Sequence, residues 1–344
     1  MTEKSPTNSR SLSWRHGVVS VNALGGMLGS TSFILPNGRQ VSPFHIAPWF
    51  DDAAVQADGG MLAGLRGEWP CVPFGYPFPS DEYPAHWPGE IEASAEVEHP
   101  HGFSANTDWK FGPEQPDQIT LSIDYPEDHA IRRLHRIIKP DPNSAALDIE
   151  LIIESRHVSC EPIALHGCFA LPLTVGQAKI ETSGFEYGRT HPATVEPEAP
   201  IFASNEMFNS LEAVPTRTGK IQDASKLPLE ANGEDLLQLD GLTGPVSLRN
   251  DEAGFRIAFD WDQNILPSLL IWYSNRGRSA PPWNNQHLCI GLEPICSPFG
   301  MSPDMARAKN PINAQGIPTC VPLSPDTPLT IRYRFEISQV EAVQ

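Results

Sequence analysis

Two side chains able to exchange protons stand inside apolar segments of this sequence. His166 lies in Ala-Leu-His-Gly-Cys-Phe-Ala-Leu-Pro, residues 164–172, and Glu293 lies in Leu-Cys-Ile-Gly-Leu-Glu-Pro, residues 288–294. A histidine in such a place is either a hydrogen-bonded core residue or a group that donates and accepts protons. A carboxylate ending an apolar strand must be paired, protonated or functional, because burying an unpaired charge is costly. Both residues are therefore candidates for proton transfer.

Two further segments combine donors with flat apolar surfaces. Residues 65–75, Leu-Arg-Gly-Glu-Trp-Pro-Cys-Val-Pro-Phe-Gly, place Arg66 beside glycine, proline and aromatic residues. Residues 98–109 place His99 and His101 next to a Gly-Phe turn. Arginine donors, imidazoles and aromatic faces are what a site needs to hold the hydroxyls and the apolar face of a sugar ring. The alternative is a cluster of loops packed over a sheet.

The elements that would position these residues are strands. Apolar and polar residues alternate in four segments: 119–125, 147–151, 255–261 and 331–337. Side chains alternate between the two faces of a strand. Each segment therefore buries one face and exposes the other to solvent, as strands of antiparallel sheets do. The apolar run at 268–273 predicts a central strand that is covered on both faces. An all-β protein is expected.

Helix signals are rare in this sequence. Residues 302–309 predict two helical turns, with Ser302 as the N-cap and Pro303 at the first helical position. No repeat of fixed period and no Gly/Ser or charged linker divides the chain. The sequence therefore predicts a large antiparallel two-sheet sandwich as a single domain over residues 14–340, preceded by a flexible segment, residues 1–13, and followed by a loose C-terminal tail.

Composition excludes several classes of function. The formal net charge of −18 argues against nucleic-acid binding, because a polyanion would be repelled. No apolar run approaches the ~18 residues that span a bilayer. The first fourteen residues contain no apolar segment for export, which predicts a cytoplasmic protein. Without a Cys-x-x-Cys pair, reduced thiols and no zinc site are expected at all six cysteines: Cys71, Cys160, Cys168, Cys289, Cys296 and Cys320.

Taken in order, these segments resemble the aldose 1-epimerase, or galactose mutarotase-like, family. Residues 65–75 and the His-Gly-Phe of residues 101–103, with Asp-Trp at 108–109, are similar to elements of its hexose-6-phosphate mutarotase-type branch. Further matching segments are residues 165–169 for the strand with the catalytic histidine, 215–221 for a loop, 233–239 for a sugar-binding aspartate and 289–294 for the strand with the catalytic glutamate. The ordered series covers residues 14–340 of the chain.

The resemblance implies a galactose mutarotase-like sandwich that interconverts the anomers of an aldose. The anomeric hydroxyl loses a proton while the ring oxygen gains one, and the ring opens and recloses. By the match, Glu293 is the base and His166 the acid, while Arg66, His101 and Asp235 hold the ring hydroxyls. No metal or organic cofactor is expected. The expected partner is a small-molecule sugar, and the chain is a monomer or a homodimer.

Two departures from the family pattern narrow these expectations. The hexose-6-phosphate branch has an arginine shortly after His-Gly-Phe, where this chain has Ser-Ala-Asn at residues 104–106, which argues against a phosphorylated substrate. Leu236 follows Asp235 where many relatives have histidine, so Asp240 is the alternative sugar-binding aspartate.

Two other functions compete with the epimerase hypothesis. A non-catalytic sugar-binding or sugar-sensing protein of the same fold would not need both His166 and Glu293. A carbohydrate-processing β-sandwich, such as a lyase or a hydrolase accessory domain, would have a long groove lined by aromatic residues. The candidates for such a groove are Trp69, Trp87, Trp109, Trp272 and Trp283.

Overall fold

The alternating segments form paired strands in the computed structural model, which describes residues 9–76, 83–87 and 99–340. The strands in chain order are β1 (Ser9–Trp14), β2 (Gly17–Asn22), β3 (Ser32–Ile34), β4 (Gln40–Val41), β5 (Glu68–Cys71), β6 (Lys110–Phe111), β7 (Ile119–Asp124), β8 (Ile131–Pro140), β9 (Ala146–Ser155), β10 (Ser159–Glu161), β11 (Ile163–Ala170), β12 (Ala178–Thr182), β13 (Tyr187–Thr190), β14 (Met207–Phe208), β15 (Val214–Pro215), β16 (Ile221–Gln222), β17 (Lys226–Leu227), β18 (Gly233–Asp240), β19 (Val246–Asn250), β20 (Phe255–Trp261), β21 (Ser268–Asn275), β22 (Leu288–Cys296), β23 (Val321–Leu323) and β24 (Leu329–Gln339).

Two large antiparallel sheets dominate the described residues. One sheet has the strand order β17-β12-β19-β20-β24-β9-β8-β7-β6, and the other has the order β14-β13-β18-β21-β22-β11-β5. Their facing sides share one apolar core, in which Phe169 of β11 contacts Phe335 of β24 with ring centroids 6.2 Å apart. The predicted all-β, antiparallel two-sheet architecture is confirmed.

The alternation of apolar and polar residues matches the alternation of buried and exposed side chains along the predicted strands. β20 has the bounds predicted from the sequence, residues 255–261, and alternates between buried and exposed or half-buried side chains. β21 and β22 are instead buried at every position, because loops cover the outer face of their sheet. A second apolar cluster fills the space under those loops. The candidate catalytic residues belong to this outer face.

Short helices connect the strands: α1 (Ala53–Asp58), α2 (Gly60–Gly64), α3 (Phe103–Asn106) and α4 (Pro303–Arg307), with 3-10 turns at Leu211–Ala213 and Asn313–Gln315. The predicted start of α4 is confirmed, since the Ser302 side chain accepts a hydrogen bond from the Met305 backbone N–H and Pro303 occupies the first turn. Within the described residues, every helix is too short or too polar to cross a bilayer.

The predicted flexible N-terminal segment is wrong over residues 9–13. These residues belong to β1, which forms a regular hairpin with β2, and Trp14 packs edge-on against Phe33 at 5.7 Å. The physical reason is the alternation in Ser-Arg-Ser-Leu-Ser-Trp, which gives β1 one half-buried face. Residues 1–8 and the predicted C-terminal tail beyond residue 340 lie outside the described residues.

The expectation that all six cysteines are thiols is also wrong. Cys160 and Cys320 form a disulfide, with their Cα atoms 5.4 Å apart. β10 carries Cys160 and pairs with β23, which begins at Val321, so the pairing brings the two sulfurs together. Their separation of 160 residues in sequence hides this contact. The other four cysteines are buried free thiols.

Candidate active site

His166 and Glu293 lie side by side on the outer face of the second sheet. β11 and β22 are antiparallel neighbours, and the pairing of Gly167 with Leu292 puts His166 directly across from Glu293. Residues that face each other across such a pair project to the same side of the sheet. Nε2 of His166 is 3.4 Å from Oε1 of Glu293. The two predicted catalytic groups are therefore in one place.

The Glu293 carboxyl group is almost fully enclosed and is poorly satisfied. Its residue is 1% exposed, and Oε2 has no hydrogen-bond partner among the described residues. Burial raises the pKa of Glu293 well above its usual value, because a charge loses its hydration there. Gly291 makes room for the carboxyl group, since a Cβ at that position would lie 2.6 Å from Oε1 of Glu293.

The His166 ring is held by its neighbours in a fixed orientation. Trp69 of β5 stands opposite His166 in the sheet, and the two rings stack with centroids 4.1 Å apart and planes 14° apart. Nδ1 of His166 lies 3.5 Å from Sγ of Cys168. Burial, followed by the neighbouring His101, lowers the pKa of His166 well below its usual value. Burial thus favours the uncharged forms of both members of the pair.

His101 reaches the pair from the loop before α3. Its backbone has a φ of 64°, and its N–H donates to the carbonyl of Gly75 at 2.7 Å. The next residue must be glycine, because a Cβ on Gly102 would lie 2.5 Å from the carbonyl oxygen of Pro73. The His101 ring stands edge-on to His166 at 5.1 Å, and its Nδ1 has no partner among the described residues. Burial, with a smaller effect of Arg278, lowers the pKa of His101 to about 4.

Arg66 is buried but makes its contacts elsewhere. Its Nε donates to the Gly64 carbonyl at 2.7 Å, and its guanidinium lies 3.6 Å from the centre of the Phe50 ring. Burial lowers the pKa of Arg66 to about 10, while Asp51 opposes this change, so the group stays charged at neutral pH. Within the described part of the chain, no recorded hydrogen bond, ion pair or ring contact joins Arg66 to His166 or Glu293.

Asp235 is on the wrong face of the sheet to bind a ligand beside the pair, which corrects its predicted role. It stands opposite Tyr273 in the β18–β21 pairing and faces the core between the sheets. Its carboxylate accepts hydrogen bonds from the backbone N–H groups of Ile201, Phe202 and Leu236, at 2.9–3.0 Å. A shift of one residue along a strand moves a side chain to the opposite face of the sheet. Sequence similarity alone does not determine which face a given residue occupies.

The alternative residue, Asp240, faces the same side as the pair and has one carboxylate oxygen engaged, while its Oδ2 has no hydrogen-bond partner among the described residues. Its Oδ1 accepts hydrogen bonds from Gln238 Nε2 and Ser268 Oγ, both at 2.7 Å. Arg189 Nε lies 3.8 Å from Oδ2. Burial raises the pKa of Asp240 to about 6. Asp240 remains a candidate by position, although its hydrogen bonds fit a structural role.

Sequence reasoning missed Glu234, the neighbour of Asp235 on the outer face. Its carboxylate accepts hydrogen bonds from Trp272 Nε1 at 2.6 Å and Ser274 Oγ at 2.9 Å, and Arg278 Nε lies 3.4 Å away. Burial raises the pKa of Glu234 to about 7. The available signal was the alternation within residues 233–239, which places 234 and 235 on opposite faces.

His45 and His287 were missed as well. Their Nε2 atoms are 3.0 Å apart, and both side chains are buried beside Cys289. Burial lowers the pKa of His45 to about 4, and burial together with the charge of His45 and Arg278 lowers that of His287 to about 2. A separation of 242 residues leaves no signal of this contact in the sequence.

Three of the five candidate tryptophans are buried in the protein and do not line a groove. Trp69 is buried under His166, while Trp109 donates to the Ser104 carbonyl and Trp87 to Asn205 Oδ1. All three are at most 3% exposed. This arrangement does not favour a carbohydrate-processing sandwich that binds an extended chain.

Comparison with known proteins gives matches by structure. No protein-family model and no curated sequence matches the chain. A candidate aldose 1-epimerase from Escherichia coli K12 is 14% identical, with a TM-score of 0.64, over 96% of this chain and 99% of its own. A GalM/aldose epimerase homologue from C. elegans is 12% identical, with a TM-score of 0.63, over 97% and 99% of the two chains. A galactose mutarotase-like protein from Lactobacillus casei is 12% identical, with a TM-score of 0.60, over 96% and 99%. The protein has the galactose mutarotase-like fold.

Proposed function

We propose that this protein is an aldose 1-epimerase-like enzyme that interconverts the α and β anomers of a hexose or related aldose by acid–base ring opening. The observation that carries the proposal is the His166–Glu293 contact, at 3.4 Å, on one face of the sheet. Anomer exchange needs one proton acceptor and one proton donor within reach of the same sugar ring. The structural neighbours, two of which are described as aldose epimerases or their homologues, support the same reaction class.

The His166–Glu293 pair shares one transferable proton. The proton can lie on Glu293, which leaves both groups uncharged, or on His166, which leaves both groups charged. A carboxylic acid beside a neutral imidazole has the same number of protons as a carboxylate beside an imidazolium. Burial favours the first form at rest. Sugar hydroxyls that donate to Glu293 favour the second form, in which Glu293 takes the proton of the anomeric hydroxyl and His166 protonates the ring oxygen.

Other side chains near the pair have positioning roles in this proposal. Trp69 fixes the plane of the His166 ring by stacking. The unpaired Nδ1 of His101 is available for a sugar hydroxyl beside that ring. Asp235 has no part, because it faces the other side of the sheet.

We propose an unphosphorylated aldose as the substrate. Where the related branch carries an arginine, Ser104 Oγ donates to the Pro70 carbonyl and Asn106 Nδ2 donates to the carbonyls of Pro100 and Gly102. Both side chains are thus used within the protein and present no cation to a phosphate. The net charge of −18 also disfavours a dianionic ligand at long range.

The test is mutarotation of fresh α-glucose, α-galactose and their 6-phosphates, followed by polarimetry and by NMR exchange. We expect acceleration for at least one unphosphorylated sugar, and loss of that acceleration in Glu293→Gln. Glu150→Gln, an exposed carboxylate on β9, is the control and should leave the rate unchanged. If a sugar binds by NMR without faster exchange, the non-catalytic sugar-binding function is correct instead. If no sugar responds in either assay, both proposals fail.

A further inference from the structure

A cluster of metal-binding side chains lies on the same outer face, away from the acid–base pair. His45, His287 and Cys289 each offer one ligand atom, these three atoms lie within 4.8 Å of one another, and all three residues are buried. Cys289 lies on β22 and His287 directly precedes that strand. Imidazole nitrogens and a cysteine sulfur are the ligands that zinc prefers.

The backbone around the cluster is well fixed. His45 N–H donates to the Cys168 carbonyl at 3.0 Å, and the His45 carbonyl accepts from Gly67 N–H at 2.8 Å. His287 accepts a hydrogen bond at its carbonyl from Arg276 N–H at 2.9 Å. Thus each histidine is tied to a neighbouring segment rather than standing on a free loop.

A hydrogen-bond chain sets the orientation of the His287 ring. Ser274 Oγ donates to Oε2 of Glu234 at 2.9 Å, so Ser274 Oγ is free to accept from Nδ1–H of His287 at 2.7 Å. This order leaves the proton on Nδ1 and a lone pair on Nε2, the atom that faces Nε2 of His45 at 3.0 Å. A carboxylate behind the ring, acting here through a hydroxyl, is the usual arrangement that orients a metal-binding histidine.

Aromatic rings enclose the cluster. His287 contacts Trp49 at 5.1 Å, Trp272 at 5.5 Å and Trp283 at 4.8 Å, measured between ring centroids. An apolar shell of this kind limits the access of water, which strengthens the bonds between a cation and its ligands.

We propose that His45, His287 and Cys289 form a binding site for a divalent transition-metal ion of the zinc class. Bonds of about 2.0–2.1 Å to nitrogen and about 2.3 Å to sulfur put tetrahedral ligand atoms roughly 3.4–3.6 Å apart. The observed 3.0 Å between the two Nε2 atoms and the 4.8 Å limit for the set bracket this spacing. The three side chains leave the fourth position for water or another small ligand.

Metal binding has defined proton requirements at this cluster. The Cys289 thiol loses its proton to solvent when its sulfur binds the ion as a thiolate. The proton that joins the two Nε2 atoms belongs to His45, since His287 holds its own proton on Nδ1. That proton moves to Nδ1 of His45, and the metal replaces the direct contact between the histidines.

The proposed metal site is separate from the proposed proton transfer. Cys289 and Glu293 share one face of β22 but are four residues apart, roughly 13 Å along a strand. Trp272 stands between them, with its ring 5.9 Å from His166 and 5.5 Å from His287. Cys168 nevertheless connects the two clusters, since its thiol hydrogen-bonds with Cys289 and lies 3.5 Å from Nδ1 of His166, so metal binding is measured by stoichiometry and spectrum rather than through mutarotation.

The test is titration of tag-free, chelator-treated full-length protein with Co²⁺ and with Zn²⁺, under anaerobic conditions without a thiol reductant, which preserve the Cys160–Cys320 disulfide and leave folding intact by circular dichroism. We expect one equivalent of metal per chain by mass spectrometry of the metal. Cobalt should give tetrahedral absorption bands and a thiolate-to-cobalt charge-transfer band in the near ultraviolet. Cys289→Ser should lose the charge-transfer band, and Glu234→Gln should weaken zinc binding about 10- to 100-fold through the orientation of His287.

Cys296→Ser is the matched control, because Cys296 lies on the same strand and its Sγ donates to the Pro318 carbonyl on the other face. This variant should keep both the stoichiometry and the spectrum. Absence of stoichiometric cobalt binding by the folded wild-type chain overturns the proposal, as does a charge-transfer band that persists in Cys289→Ser. Should Cys289→Ser fail to fold, His287→Gln and the wild-type titration decide the question.

Discussion

Arg136–Glu68 and His166–Glu293 are both buried acid–base pairs, but their hydrogen bonding differs. Nη2 of Arg136 binds Oε2 of Glu68, Tyr333 donates to Oε1 at 3.0 Å, and Nη1 of Arg136 donates to the carbonyl of Gly26. Arg136, Glu68 and Tyr333 come from β8, β5 and β24, so the network joins the two sheets. Glu293, in contrast, has one 3.4 Å contact with His166 and an unpaired Oε2.

The difference separates a structural pair from a reactive one. A buried carboxylate whose two oxygens are both bonded contributes to a defined core and has no capacity left for a ligand. A buried carboxyl with an unused oxygen, beside an imidazole of altered pKa, retains the capacity to exchange protons with a bound molecule. The comparison therefore predicts that substitutions at the two pairs affect different measurements.

The largest effect on activity is expected from Glu293→Gln. The amide keeps the shape of the side chain but neither accepts nor releases the transferred proton, so kcat should fall by about 10²- to 10⁴-fold. The urea midpoint should be unchanged or higher, because the wild-type carboxyl is buried with an unpaired oxygen. Stopped-flow polarimetry and urea denaturation measure the two quantities. If Glu293→Gln unfolds at a lower urea concentration than wild type while its folded fraction keeps full activity, Glu293 is a structural residue.

The largest effect on stability is expected from Arg136→Met. Removing the guanidinium leaves Glu68 buried with a charge, which should lower the free energy of unfolding by about 3–5 kcal/mol. Adding Glu68→Gln removes that stranded charge and should restore part of the loss. Urea denaturation of the single and double variants gives both values. An equal or greater loss in the double variant would contradict the explanation by an unpaired charge.

A smaller effect on activity is expected from Gly291→Ala. The added Cβ would lie 2.6 Å from Oε1 of Glu293 and 2.8 Å from Cβ of Trp272, so the carboxyl group must move. Displacement of a reacting group on this scale should lower kcat roughly 10- to 100-fold. In the Glu293→Gln background the same substitution should have no further effect. A loss of the same size in both backgrounds would show that Gly291 acts through packing alone.

The sequence predicted what depends on local pattern and on the order of motifs. The bounds of β20 and the cap of α4 follow from residues within a few positions of each other. His166 and Glu293 are identified together by the ordered segments that resemble the aldose 1-epimerase family. Asp235 was misplaced, because one residue of register separates the outer face from the core.

Contacts between distant segments were outside the reach of sequence patterns. Cys160 and Cys320 meet through the pairing of β10 with β23, and His45 meets His287 where a loop covers the outer face. The Arg136–Glu68 pair likewise depends on how the two sheets stack. None of these contacts leaves a periodic signal, because each is decided by tertiary packing.

The smallest expected effect is on the pH dependence of the free energy of unfolding, in which Glu293→Gln is compared directly with wild type. Burial raises the pKa of Glu293 above its unfolded value of about 4.3. The stabilising contribution of the neutral carboxyl is therefore complete below about pH 4.3 and is lost as the pH rises through the folded pKa, by at most about 1.4 kcal/mol per pH unit. Glutamine at this position stays neutral, so the stability of Glu293→Gln relative to wild type should increase with pH.

Urea denaturation at a series of pH values measures this difference, with Glu150→Gln as the control for an exposed carboxylate. A constant difference between Glu293→Gln and wild type would mean that Glu293 is ionised in the folded protein. The pair would then rest as a carboxylate beside a neutral imidazole, so His166 must take up a proton before it can act as the acid. An increasing difference means instead that the resting pair holds one additional proton. Burial places that proton on Glu293, so the sugar must draw it to His166 before the ring opens.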